Sequence, residues 1–203
     1  MSISPRRIVY NLANIETALV STEVPGVSSL PLNETICVVA NEWKECFDRI
    51  SELSASKWIK KRSRSAENLI MGETRECCRR GLHTPTRTER ISQKDSKKIG
   101  CKGTLSILQY VENPGVVEIK MSMGHVNHVP GSNSDIRTLP LTRETVTVIE
   151  RNLRNGSNCR DIRTAVLRQI EQWECGRRKP TYEDVYNRIK KVRYIELPFE
   201  HLS

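Results

Sequence analysis

Thr104-Leu-Ser-Ile-Leu-Gln-Tyr110, then Asn113-Pro-Gly115, then Val116-Val-Glu-Ile-Lys-Met121 is the stretch that decides the fold class. Leu105, Ile107 and Gln109 alternate with Ser106 and Leu108, which is the period of a strand with one covered face. The Pro-Gly pair makes a turn and the chain returns as a second strand, so the stretch predicts a β-hairpin. Upstream, Thr35-Ile-Cys-Val-Val39 reads as a buried strand. Trp43, Phe47 and Ile50 form one face of a short helix, and Trp58-Ile59 reads as a further extended piece. Downstream of Pro130-Gly-Ser-Asn133 the apolar period changes to about 3.6 residues. Thr142 caps a helix with Val146, Ile149 and Leu153 on one face. Ser157 or Asn158 caps a second with Ile162, Val166 and Ile170. Thr181 caps a third with Val185, Ile189 and Val192. Before all of this, Asn11 to Val20 has the makings of a short helix. Pro25, Gly26, Ser28, Ser29 and Pro31 then mark residues 1–32 as a flexible segment. The expected architecture is α+β, with a small antiparallel β module over residues 33–130 and a short helical, helix-turn-helix-like tail over residues 131–203.

Charge is concentrated in one place. Lys57 to Lys102 holds 14 lysines and arginines against five acidic residues, and so carries the whole formal net charge of +9. A local field of that size attracts polyanions by steering and counterion release, although a solvated basic loop without a ligand has the same composition. Apolar residues make up 37% of the 203, enough for a modest core only. The longest apolar runs, such as Ile36 to Ala40, fall far short of the about 20 residues that a bilayer span needs, so no membrane partner is expected. Arg6 and Arg7 are followed by no apolar stretch, so no secretory leader is read and an intracellular chain is expected. Its seven cysteines then read as thiols or metal ligands before disulfides.

Cys77 and Cys78 stand side by side in Glu76-Cys-Cys-Arg-Arg-Gly81, Cys101 lies in Lys97-Lys-Ile-Gly-Cys-Lys102, and two histidines close Gly124-His-Val-Asn-His128. Two sulfurs and two imidazoles at strand ends suit a closed tetrahedral zinc site. The interval from Cys77 to Cys101 is 24 residues, far from the about two to four of a Cys2His2 finger, so buried thiols and turn histidines fit the spacing as well. Cys37 and Cys46, among apolar neighbours, read as core thiols, and Trp43 and Trp58 as core anchors. His83 falls in the basic loop, and Cys159, Cys175 and His201 in the tail. None of these four has the spacing of a second closed site.

Cys77-x-Arg-x-Gly81, a basic loop, Lys-Lys-Ile-Gly-Cys101, a hairpin and a closing His…Asn-His128 resemble the zinc-binding module of WRKY and glial-cells-missing transcription factors. The nearest flavour is the version at the front of Mutator-like transposases and of the far-red-impaired-response-type regulators derived from them. Trp58-Ile-Lys60 suits that family's entry strand. Leu139-Pro-Leu141, Gly156 and Asp184-Val-Tyr-Asn187 look like the helical segment that follows the module. The resemblance spans about Glu34 to Arg193. It implies a Zn2+ ion held by Cys77, Cys101, His125 and His128, stapling the antiparallel sheet, with Cys78 as the alternative to Cys77. One departure stands out: the family's closing histidines are commonly one residue apart, and here they are two apart.

The resemblance also implies that a strand enters the major groove of double-stranded DNA. The candidate contacts are Lys60, Lys61, Arg62, Arg64, Arg79, Arg80, Lys97, Lys98 and Lys102. Arg160, Arg163 and Arg168 on the second tail helix add a slight preference for DNA there over a packing role. A family transposase carries a following catalytic domain with three metal-binding carboxylates. Asp161, Glu171, Asp184 and Glu196 lie in or beside short helices, and neither a nucleophile–base pair nor a phosphate-binding glycine loop is present. The expectation is a truncated or domesticated relative: a zinc-dependent DNA-binding protein of the nucleus, acting in transcription, with no enzymatic activity and no small-molecule substrate. The alternative is a protein–protein interaction module that uses the same zinc fold without DNA.

Overall fold

The computed structural model describes residues 7–82, 98–136, 139–172 and 178–196. The chain divides into two compact units, 1–138 and 139–203. The first is built on strands β1 (Val9–Tyr10), β2 (Val20–Ser21), β3 (Ser28–Ser29), β4 (Thr35–Val39), β5 (Trp58–Ser63), β6 (Leu69–Cys77), β7 (Thr104–Tyr110) and β8 (Val116–Met123), with helices α1 (Trp43–Leu53) and α2 (Asn133–Ile136). Six strands form one sheet in the order β1-β4-β8-β7-β6-β5, and β2–β3 is a separate two-stranded ribbon. Only the two-residue β1 is parallel to its neighbour; the other pairs are antiparallel.

Register explains which residues are covered. Residues directly opposite one another share a face, so Ile36, Val38, Val117, Ile119, Leu105 and Ile107 line one side of the sheet. All six are buried. Helix α1 lays Cys46, Phe47 and Ile50 into the same core. Each such aliphatic side chain contributes about 1.5–3 kcal/mol on burial. The expected hairpin is β7–β8, and Cys37, Cys46 and Trp58 are buried as read from the sequence.

Two stretches differ from the reading. Residues 9–30 take part in the sheet and core: Val9 and Tyr10 pair with Cys37 and Val38, and Ile15 and Leu30 join the core. Its Pro and Gly residues punctuate turns, while its scattered apolar residues still find the sheet. Strand β6, nine residues long and central to the ligand end, was not anticipated. Glu73, Arg75 and Glu76 break its apolar alternation, because they pair laterally instead of facing oil. Glu73, 8% exposed, receives bonds from Lys60 Nζ on β5 at 2.8 Å and from Arg75 Nη2 at 2.8 Å. The Arg75 guanidinium lies 4.4 Å over the Phe47 ring of α1.

The second unit is α3 (Arg143–Arg154), α4 (Cys159–Gln172) and α5 (Tyr182–Glu196). Their caps are those expected. Thr142 Oγ1 accepts from Thr145 N–H, Asn158 Oδ1 from Asp161 N–H, and Thr181 Oγ1 from Asp184 N–H. Val148, Ile149, Ile162, Val166 and Val185 form the core of this unit. The buried stripe of α3 centres on Thr145, Val148 and Ile149, so Val146 is only half-buried. Arg163 donates to the Pro180 carbonyl and lies over the Tyr182 ring, which gives it a partner inside the unit.

Burial works against the Glu73 carboxylate, but the bonds from Lys60 and Arg75 and their positive charges hold its pKa below the ordinary 4.5. A depressed carboxylate stabilises the fold above its unfolded pKa, and that contribution is lost as pH falls through the folded value. Glu73→Gln is therefore expected to cost about 1–2 kcal/mol near neutral pH, discounted for the half-exposed Lys60. In urea melts run as a pH series the cost should be full above pH 4.5 and shrink as the pH falls below it, vanishing once the folded carboxylate is protonated.

Candidate metal centre

Four chain segments converge at one end of the sheet. Cys77 ends β6, opposite Trp58 at the start of β5. Cys101 precedes β7, and His125 and His128 follow β8. The long interval between the cysteines is closed by a short ladder: Arg80 bridges Cys101, Leu82 bridges Ile99, and Gly100 N–H donates to the Gly81 carbonyl at 2.8 Å. Gly81 and Gly100 both have positive φ, +84° and +77°, which the turn out of β6 and the return to Cys101 require.

The ligand atoms of Cys77, Cys101, His125 and His128 all lie within 4.8 Å of one another. Cys77 Sγ is 3.5 Å from His128 Nε2, Cys101 Sγ is 3.6 Å from His125 Nδ1, and the two nitrogens are 3.1 Å apart. A small tetrahedral cation bonded at about 2.3 Å to sulfur and about 2.0–2.1 Å to nitrogen would set edges of about 3.6 Å for S···N and about 3.3 Å for N···N. The residues fit such an ion and could hold it. Cys77, rather than Cys78, belongs to the group. The two-residue gap between the histidines is accommodated because they offer different nitrogens, Nδ1 and Nε2.

Each far nitrogen is engaged. Ser56 Oγ–H donates to the Ser54 carbonyl at 2.9 Å, so its lone pair is left to accept from His125 Nε2–H at 3.2 Å. His128 Nδ1 lies 3.0 Å from Asp135 Oδ1, and Asp135 is 2% exposed. Both tautomers thereby present a bare nitrogen to the cluster, and the carboxylate raises the basicity of His128. Arg79 clamps Asp135 from behind through its carboxylate and its carbonyl oxygen. Each sulfur accepts a backbone N–H from two residues on: Arg79 N to Cys77 at 3.5 Å and Gly103 N to Cys101 at 3.3 Å. A Cβ on Gly103 would sit 3.1 Å from His125 Nδ1, so glycine leaves room for that ring.

Electrostatics follow from these contacts. Burial, then the neighbouring His128, pushes His125 down to about 4, so it is the neutral ligand form at physiological pH. Burial also works against His128⁺, but Asp135 and Cys101 outweigh it and raise its pKa. Burial opposes the Cys101 thiolate, yet the Gly103 and Val126 N–H groups and the His128 and Cys77 side chains lower its pKa. The Cys77 thiol, hydrogen-bonded to Cys78 and buried, is pushed up.

The basic candidates separate. Arg79, expected as a DNA contact, is 8% exposed and bound to Asp135 behind the donor cluster. Lys60 and Lys61 pair with Glu73 and Glu76, and Arg80 pairs with Glu76 and donates to Thr104 Oγ1. Arg62, Arg64, Lys98 and Lys102 are exposed, although Arg64 also donates to Thr74 Oγ1. Lys97 and His83 lie outside the described residues. Ser56, Gly103 and Asp135 were missed by the sequence reading. That reading marks only a break at Pro130-Gly-Ser-Asn133 and gives Asp135 no role. Comparison of the chain with protein-family models, with curated proteins and with solved structures finds no match.

Asp135→Asn keeps the shape of the side chain but removes the charge that orients His128. It is expected to weaken metal affinity about 10–100-fold, read by competition with a chromogenic chelator. Gly103→Ala should act in the same direction by pressing on His125.

Proposed function

We propose that the chain is a zinc-dependent protein that binds double-stranded DNA in the nucleus and acts in transcription, a relative of the front end of Mutator-like transposases. One observation carries the reading: the four-donor cluster closes the same β5–β6 hairpin whose free edge is basic. Trp58 pairs opposite Cys77, so β5 begins beside the ligand strand, and β5 is an edge of the sheet. It reads Trp-Ile-Lys-Lys-Arg-Ser63, and every residue after Trp58 is exposed. The register shifts between Lys60 and Arg62, and bulges of this kind re-aim side chains at functional edges.

Two thiolates and two imidazoles with near-tetrahedral edges favour zinc over oxygen-seeking cations. With four protein ligands the ion has no open position, so its task is structural. Closed zinc sites contribute on the order of 10–16 kcal/mol in finger peptides. The alternative, a protein-interaction module on the same staple, draws support from Lys60, Lys61 and Arg80 being paired already with acidic residues.

Salt separates the two. If six or more phosphates are contacted, affinity for duplex DNA falls by about 1,000-fold or more between about 50 and 200 mM salt. Affinity flat across that range overturns DNA binding. Arg62→Glu with Arg64→Glu should weaken DNA binding while metal analysis still finds one ion per chain. Cys101→Ser should lose the metal and unfold the β unit, while the helical signal of residues 139–203 persists in circular dichroism. Stoichiometric metal retained in that variant would refute Cys101 as a ligand.

A further inference from the structure

Alternation along the strands gives the six-stranded sheet a second face, and the register sorts what lies on it. Leu105, Ile107, Val117 and Ile119 point into the core with α1. Ser106 and Lys120, their neighbours, point the opposite way. Ser106 stands opposite Thr74 on β6 and Lys120 on β8, Lys120 opposite Thr35 on β4, and Thr74 opposite Arg62 on β5. Thr35, Lys120, Ser106, Thr74 and Arg62 therefore form one row across five adjacent strands. Among the described residues, the side chains of Thr35, Lys120, Ser106 and Arg62 make no hydrogen bond or ion pair. Thr74 Oγ1 accepts from Arg64 Nε at 3.0 Å, which leaves its own hydroxyl hydrogen to donate. Arg7, Lys61, Arg64 and Arg80 share this face, placed there by contacts with Glu118, Glu76, Thr74 and Thr104. The bulge on β5 helps, since it brings the consecutive Lys61 and Arg62 to one side. With Lys120 and Arg62 the face holds six cations, against the two carboxylates of Glu76 and Glu118.

We propose that this open face binds the phosphodiester backbone of duplex DNA, with Lys120, Ser106, Thr74 and Arg62 as the row that meets it. The proposal rests on the DNA-binding reading and extends the footprint from the β5 edge across the sheet to β8. Ammonium, guanidinium and hydroxyl donors suit phosphate oxygens, and such contacts position a protein on DNA without reading its sequence. Three strand spacings of about 4.8 Å set Lys120 about 14 Å from Arg62, a length over which one DNA strand presents about four phosphates. An acidic peptide that added itself to the sheet would run along an edge. The free donors run across the strands instead, so they do not suit that partner.

The test uses the full chain, with its metal content measured, and a short fluorescent duplex titrated between about 50 and 200 mM salt. Lys120→Gln should weaken binding about tenfold and flatten the slope of log affinity against log salt by about 0.9, the share of one phosphate contact. Lys120→Arg, which keeps the charge, should restore both. Ser106→Ala should weaken binding about threefold with the slope unchanged. In the wild-type complex, DNA should also shield Lys120 from amine acetylation, a readout by mass spectrometry that needs no variant to fold. A wild-type chain without salt-dependent affinity for the duplex ends the DNA-binding reading and this proposal with it. A chain that binds the duplex yet ignores Lys120→Gln, or is acetylated equally at Lys120 with and without DNA, overturns this proposal alone. So does displacement of the duplex by polyglutamate at equal charge, which would give the face to an acidic protein.

Discussion

Two imidazole nitrogens held 3.1 Å apart, with a sulfur about as close to each, are the constraint on which this end of the molecule depends. Their far nitrogens face Ser56 and Asp135, so in the neutral form each ring turns a bare nitrogen toward the other. Electron-rich atoms packed this way repel unless positive charge sits among them. The atoms come from the end of β6, the run into β7 and the loop after β8. Their supports come from the segment before β5 and from α2. A cation at their centre would tie five stretches of chain in one place.

The sheet shows why such a tie is needed there and not elsewhere. Between β4, β8 and β7 the covered face is continuous aliphatic packing: Val38, Val117, Ile119, Ile107 and Leu105 are fully buried. Toward β6 and β5 the same face carries Glu73, Arg75 and Lys60. Apolar burial runs out in that direction, and ion pairs with partly exposed partners replace it weakly. Trp58 and Cys77 are the last buried residues before the edge, and the ligand cluster begins with them. The four-donor cluster that could hold a metal ion sits where the hydrophobic core stops, and a unit this small has little apolar surface with which to cover a six-stranded sheet.

How much of this was legible follows the same division. The β7–β8 hairpin was readable because Leu105 and Ile107 alternate cleanly, and the tail helices because Thr142, Asn158 and Thr181 announce their starts. Strand β6 was hidden by its own ion pairs, since a period search treats Glu73 and Arg75 as solvent-facing. Residues 9–30 were hidden by composition, because turn residues outnumber the few that anchor, such as Ile15 and Leu30. The four clustered donors were named through a resemblance in their order, while spacing alone left buried thiols as good a reading. Asp135, Ser56 and Gly103 belong to the site only through three-dimensional proximity, for which one sequence carries no signal.

The 24-residue interval between the cysteines, which counted against a metal site, turns out to be physically cheap. Loop closure grows only with the logarithm of length, about 0.6 kcal/mol for each doubling. Replacing a loop of about four residues by one six times longer therefore costs on the order of 1.5 kcal/mol, small against about 10–16 kcal/mol from a structural zinc ion. The Gly81–Gly100 ladder lowers even that, because it pairs the chain again within a few residues of each ligand.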